Sequence, residues 1–115
     1  MFGDVIRDIR MARGHTQVWV AGKLGLSKTQ LTRLESNTYE PNLATIRKFA
    51  RFFRISADTL LELDTDNPET VSAEEFVFME KLRRLSPDDR QEVARYMEYR
   101  QAVAAKEQKQ QDKEA

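Results

Sequence analysis

Residues 16–36 read TQVWVAGKLGLSKTQLTRLES, and the fold is decided there. Thr16 is a helix-capping residue type, followed by Val20, Ala21 and Leu24 at the spacing of one helix face. Gly25 breaks that segment. Ser27 opens the next one, and Ser27-x-x-Gln30 has the layout of a capping box, in which hydroxyl and carboxamide each satisfy an orphan N–H of the first turn. Leu31 and Leu34 supply the apolar side of this helix. Lys28, Thr29, Gln30 and Arg33 supply a polar side.

Working outward, the helical signal continues in both directions. Phe2, Ile6, Ile9 and Arg13 follow helical spacing until Gly14-His15 ends the segment. Ser36-Asn37 and Pro41-Asn42 bracket a loop. Asn42 caps a fourth helix carrying Leu43, Ile46, Phe49, Ala50 and Phe53. Ser56 caps a fifth, with Leu60 and Leu61 inward. Residues 64–70, DTDNPET, contain no apolar residue and read as part of a linker over 64–71. Ser72-x-x-Glu75 is a second capping box, ahead of Phe76, Met79, Leu82 and Leu85. Ser86-Pro87-Asp88-Asp89 is a strong helix start: a cap, a Pro at the first helical position, then acids at the positive end of the helix dipole. Hairpin-turn dipeptides and sustained two-residue alternation are missing, so the chain is expected to be all-α. Residues 105–115 are expected to form a fraying or disordered tail.

Composition narrows the function classes. The chain has 115 residues, no Cys and one His. That removes disulfides, thiol catalysis and Cys- or His-paired metal sites. Glu74, Glu75, Asp88 and Asp89 are placed as helix caps and lack an acid–base partner set, so no catalytic residue, metal or cofactor is assigned, and an enzyme is not expected. No apolar run reaches the roughly 18–20 residues of a membrane span, and residues 1–4 lack the layout of a signal peptide. A soluble, cytoplasmic protein is therefore expected. The formal net charge is zero, but the first 63 residues carry ten basic and six acidic groups, and the remainder nine and thirteen. A basic half joined to an acidic half suggests two modules with different partners.

Two short helices joined by Gly25-Leu26-Ser27 have the arrangement of a helix-turn-helix, whose second helix enters the DNA major groove. Lys28 and Arg33 can donate to guanine O6 and N7, and Gln30 can pair with adenine N6 and N7. A solvated face on an ordinary amphipathic helix is the competing reading of the same residues.

The stretch from Ile6 to Leu61 resembles the lambda-repressor/Cro-like (XRE) helix-turn-helix family. The resemblance is carried by Arg10-x-x-x-Gly14, Thr16-Gln17, Ala21, Leu24-Gly25-Leu26-Ser27, Leu34-Glu35, Pro41 and Ser56-x-x-x-Leu60-Leu61. It covers about half the chain without a gap. It implies a five-helix domain over 1–63 that binds a double-stranded DNA operator. Lys28, Thr29, Gln30 and Arg33 would read bases. Gln17, Ser36, Asn37, Thr38 and Tyr39 would contact phosphates. Arg10 and Glu35 would form a structural pair between the first and third helices. The sequence departs from the family at Val18 and Trp19, where charged residues are usual, and at Arg54, where Gly often ends the fourth helix. Trp19 would pack on the first helix, lie near DNA or join a protein contact. Arg54 is expected in a mildly strained conformation. His15 reads as a surface turn residue.

The remaining segment resembles, more loosely, the C-terminal two-helix oligomerisation region of Sin-type repressors. On this reading 72–104 is a dimerisation hairpin using Phe76, Phe78, Met79, Leu82, Val93, Tyr96, Met97 and Val103. Two short helices bury little surface alone. A second copy would cover them, or they would pack back onto the N-terminal core. The resemblance implies a homodimeric transcriptional repressor on inverted half-sites, with an antagonist protein as a further partner of the hairpin. The alternative of the same fold is a protein-interaction adaptor or antitoxin-type module, against which Lys28, Gln30 and Arg33 argue.

Overall fold

The computed structural model describes residues 1–63 and 69–114, and these are all-helical. The elements are α1 (Phe2–Ala12), α2 (Gln17–Leu24), α3 (Lys28–Glu35), α4 (Leu43–Phe53), α5 (Ala57–Leu60), α6 (Ala73–Arg83) and α7 (Pro87–Glu114). The linker expected over 64–71 falls mostly at 64–68, outside the described residues. Among the described residues no helix is long and apolar enough to cross a membrane.

Capping chemistry sets where these helices begin. Thr16 accepts from the Trp19 N–H, Asn42 from Thr45 and Ser56 from Thr59. Both capping boxes close: Ser27 with Gln30, and Ser72 with Glu75. Ser86 accepts from the Asp89 N–H, two residues beyond Pro87 at the first helical position. Left-handed residues end two helices, Gly25 at φ 69° and Arg54 at φ 56°. Arg54 thus carries a backbone strain that Gly would avoid, as its place in the sequence suggested.

The chain divides into two units, Met1–Lys81 and the residues from Leu82 onward. In the first unit, Ile6, Ile9, Val20, Leu31, Phe49, Phe53 and Leu60 are fully buried, so every helix of α1–α5 contributes to one core. Phe2 meets Phe49 edge-to-face at 5.6 Å.

The sequence reading closes the first domain at 63, whereas this unit also takes in α6 up to Lys81. Ala73, Phe76 and Val77 pack against the core of α1–α5. The Thr59 hydroxyl donates to the Val71 carbonyl at 3.0 Å, fixing the approach to α6. Arg13, just past α1, completes the attachment. Its Nε and Nη2 each donate to the Glu80 carboxylate at 3.1 Å, and Nη2 also reaches the Phe53 carbonyl. The guanidinium lies 5.2 Å from the Phe53 ring centroid. Of the two coverings open to the hairpin, packing back onto the core is the one that Phe76 and Val77 adopt. The physical reason is that α6 brings an anion to a cation the core already holds, along with two apolar side chains.

The second unit consists chiefly of α7, a 28-residue helix with no buried residue. It stays helical through 105–114, where a fraying or disordered tail is expected, because Ala, Lys, Gln and Glu are strong helix formers.

Removing one partner of a buried pair strands the other. Glu80→Ala is expected to destabilise the full chain by about 2–3 kcal/mol, less than a fully buried pair because Arg13 keeps some solvent contact. Urea denaturation followed by Trp19 fluorescence measures this. A fragment ending at Leu63 should unfold at lower urea than one ending after Arg83, because it exposes the surface that Phe76 and Val77 cover.

Candidate nucleic-acid interface

The polar side of α3 is built from its buried side. Leu31 and Leu34 point into the core, and Glu35 is buried with them. Lys28, Thr29, Gln30, Thr32 and Arg33 are left exposed. Only 4% of the Glu35 side chain is accessible, and a carboxylate so buried requires partners. Arg10 of α1 supplies a fork, Nε to Oε2 at 2.8 Å and Nη2 to Oε1 at 3.0 Å. Its Nη1 donates to the His15 carbonyl at 2.8 Å. The expected structural pair is thus formed, and it also holds the turn between α1 and α2.

Gln17, at the first position of α2, donates Nε2 to Glu35 Oε1 at 3.0 Å and accepts from the Thr32 hydroxyl at 3.3 Å. Its carboxamide therefore joins the buried carboxylate to the exposed side of α3. A phosphate contact by Gln17 would have to share that amide. Thr32 is absent from the sequence-based site. Its position four residues after Lys28, on the same helix face, is the signal that could have found it.

Gln30 is similarly occupied. Its Oε1 accepts from the Ser27 N–H at 2.8 Å within the capping box. A bidentate grip on adenine requires the carboxamide to release that N–H. Lys28 and Thr29 stand exposed at the first turn of α3. Arg33 lies beside Tyr39, with the guanidinium 5.1 Å from the ring centroid and Nη1 donating to the phenolic oxygen.

The loop after α3 is tied inward as well as exposed. Ser36 Oγ donates to the Arg33 carbonyl at 3.2 Å and lies 2.7 Å from the Thr38 hydroxyl. Asn37 adopts φ 60°, a left-handed value that Asn tolerates. Its Oδ1 accepts from the Gly3 N–H at 2.9 Å, so its side chain faces α1. Gly3 permits this approach, and the sequence reading assigns it no role.

Trp19, 43% exposed, stacks on His15 at 4.0 Å and lies 6.0 Å from Phe52, with Lys23 over its ring. It rests on the α1–α2 turn and on α4, rather than in the core. Among the described residues no cluster of His, Asp and Glu has the form of a metal site.

Comparison with known proteins agrees with this geometry. The helix-turn-helix family matches residues 6–60. The cryptic phage CTXphi transcriptional repressor RstR of Vibrio cholerae is 32% identical over 71 residues, which is 62% of this chain and 61% of that protein. The SPbeta prophage-derived uncharacterized HTH-type transcriptional regulator YonR of Bacillus subtilis (strain 168) is 30% identical over 82 residues, 64% of this chain and 76% of that one. The chain thus spans less than two thirds of the first relative and about three quarters of the second. No solved structure matches the chain significantly.

Two glycines should respond oppositely to substitution. A Cβ on Gly3 would lie 2.2 Å from the Leu34 carbonyl oxygen, 2.6 Å from Asn37 Oδ1 and 2.8 Å from the Glu35 carbonyl oxygen. Gly3→Ala should therefore cost about 3 kcal/mol and pry the end of α3 from α1. A Cβ on Gly22 would meet nothing within 4 Å, so Gly22→Ala should stabilise by about 0.5–1 kcal/mol. Thermal unfolding of the two variants checks both signs.

Proposed function

The chain belongs to the helix-turn-helix family, and from that premise we propose that it is a homodimeric, sequence-specific transcriptional repressor that binds inverted half-sites. DNA-binding transcription regulation follows from the family. The repressor assignment draws on RstR, whose name makes it a transcriptional repressor. The observation that carries base reading is the division of α3, with Leu31, Leu34 and Glu35 buried on one side and Lys28, Thr29, Thr32 and Arg33 exposed on the other. In the major groove, Arg33 and Lys28 would donate to guanine, and the methyl group of Thr29 would suit a thymine methyl. Gln30 would take part once its cap is released. Ser36 and Thr38, the backbone of the following loop, and Gln17 at the α2 N-terminus would anchor phosphates and set register.

The homodimer is supported by α7. A soluble helix normally buries a stripe, yet α7 buries nothing and leaves Tyr96, Met97 and Tyr99 exposed, with Val93 and Val103 half-covered. Val93, Tyr96, Met97 and Val103 recur at helical spacing, and a second copy of α7 would cover them. Phe78 and Met79 of α6, in the first unit, are also exposed. Phe76 plays a different part, since it packs against the first unit's core.

Selection from a random DNA pool tests base reading, with enrichment of an inverted repeat as the expected result; recovery of no common sequence would contradict it. Met97→Glu places an unpaired charge on the proposed dimer face. In sedimentation it should give a monomer with the first unit folded. Affinity for the paired half-sites should fall by about 10²–10⁴, the gain that linkage supplies, with the preferred bases unchanged. A variant that remains dimeric at parental affinity would remove α7 as the interface.

A further inference from the structure

We infer that Tyr39 is a positioning residue for Arg33, holding its guanidinium ready for a base edge; this rests on the groove role proposed for α3. The two residues are six apart, and neither sits in the core. They meet because α3 ends at Glu35 and the chain doubles back through Asn37 at φ 60°. The backbone N–H groups of Thr38 and Tyr39 both return to the Arg33 carbonyl, at 2.9 and 3.3 Å. Tyr39 is thereby anchored to the residue whose side chain it covers. The Ser36 hydroxyl donates to that same carbonyl and also meets the Thr38 hydroxyl, so the turn is tied at each step.

The contact uses two features of the phenol. The guanidinium lies 5.1 Å from the ring centroid, within reach of the negative π face. Nη1 donates to the hydroxyl oxygen. An exposed arginine samples many rotamers, and ordering it on a base edge costs entropy. A ring and an acceptor that hold it beforehand reduce that cost. The grip leaves the guanidinium chemistry available. Arg has five donors, of which Tyr39 takes one on Nη1; the Nε–Nη2 edge still presents the parallel pair that guanine O6 and N7 require. Tyr39 thus acts through Arg33 and on specificity. A phosphate contact, the role its position in the loop first suggests, acts on all sequences equally.

The test uses the full-length protein, the DNA sequence recovered by selection, and a set of single-base variants of it, titrated at several salt concentrations. Arg33→Ala should abolish discrimination at the base pair that Arg33 reads. Tyr39→Ala should reduce discrimination at that same pair by about three- to tenfold, with the slope of log Kd against log salt unchanged. Tyr39→Phe keeps the ring and should lose less. Arg33→Ala/Tyr39→Ala should discriminate no worse than Arg33→Ala alone, since Tyr39 has nothing left to position. If Tyr39→Ala instead weakens every sequence alike and lowers the salt slope by about one, Tyr39 is a phosphate contact and the inference falls. It also falls if Tyr39→Ala keeps full discrimination while Arg33→Ala loses it. If Arg33→Ala itself keeps full discrimination, the groove role of Arg33 fails first and takes the positioning role with it.

Discussion

The buried carboxylate of Glu35 is the constraint on which the rest of the DNA-binding unit depends. Burying an anion at the end of α3 is costly unless donors converge on it. They come from two other helices: the guanidinium of Arg10 from α1 and the carboxamide of Gln17 from α2. Three helices therefore have one relative placement in which the charge is satisfied. The contribution of such a group is chiefly geometric, since an ion pair of this kind adds little net stability over an apolar replacement. What it sets here is the angle at which α3 presents Lys28, Thr29, Thr32 and Arg33.

A second, partly buried pair plays the corresponding part at the same, C-terminal end of α1. Arg13 grips Glu80, the Phe53 carbonyl and the Phe53 ring together, so α1, α4 and α6 meet at one guanidinium. Arg10 and Arg13 lie three residues apart on α1 and its cap, and each serves a carboxylate distant in sequence. The first helix is thus a strut with an ionic joint for α3 and another for α6. Its apolar residues ahead of these joints, Val5, Ile6 and Ile9, are buried in the core.

The polar side chains around α3 divide between building the site and remaining open to a ligand. Gln30, Asn37 and Gln17 each spend a carboxamide on structure: a helix cap, the seat of α1 and the Glu35 cluster. Lys28 and Thr29 project from the first turn, where the helix dipole favours an anion. Thr32 stands between these groups, its one hydroxyl proton within reach of both the Lys28 carbonyl at 2.9 Å and Gln17 Oε1 at 3.3 Å. A surface that looks uniformly polar in sequence is therefore partly scaffold.

The sequence by itself determined the helices and their starts. Thr16, Ser27, Asn42, Ser56, Ser72 and Ser86 each cap the helix expected of them, because a cap is a contact between residues three apart and is fully local. The exposed set on α3 was legible for the same reason, since periodicity separates Leu31 and Leu34 from their neighbours. The Arg10–Glu35 pair was legible through resemblance alone. Only the tertiary structure decided the rest. Gly3 matters because the Leu34 and Glu35 carbonyls lie where its side chain would be, an approach across more than thirty residues that no spacing rule encodes. The sequence reading assigns Glu80 no role and places Arg13 only at the end of the first helix. That they meet, drawing α6 onto the first unit, depends on how the core of α1–α5 closes. Local hydrogen bonds can be read along the chain; the partner of a buried charge is set by packing between segments far apart in it.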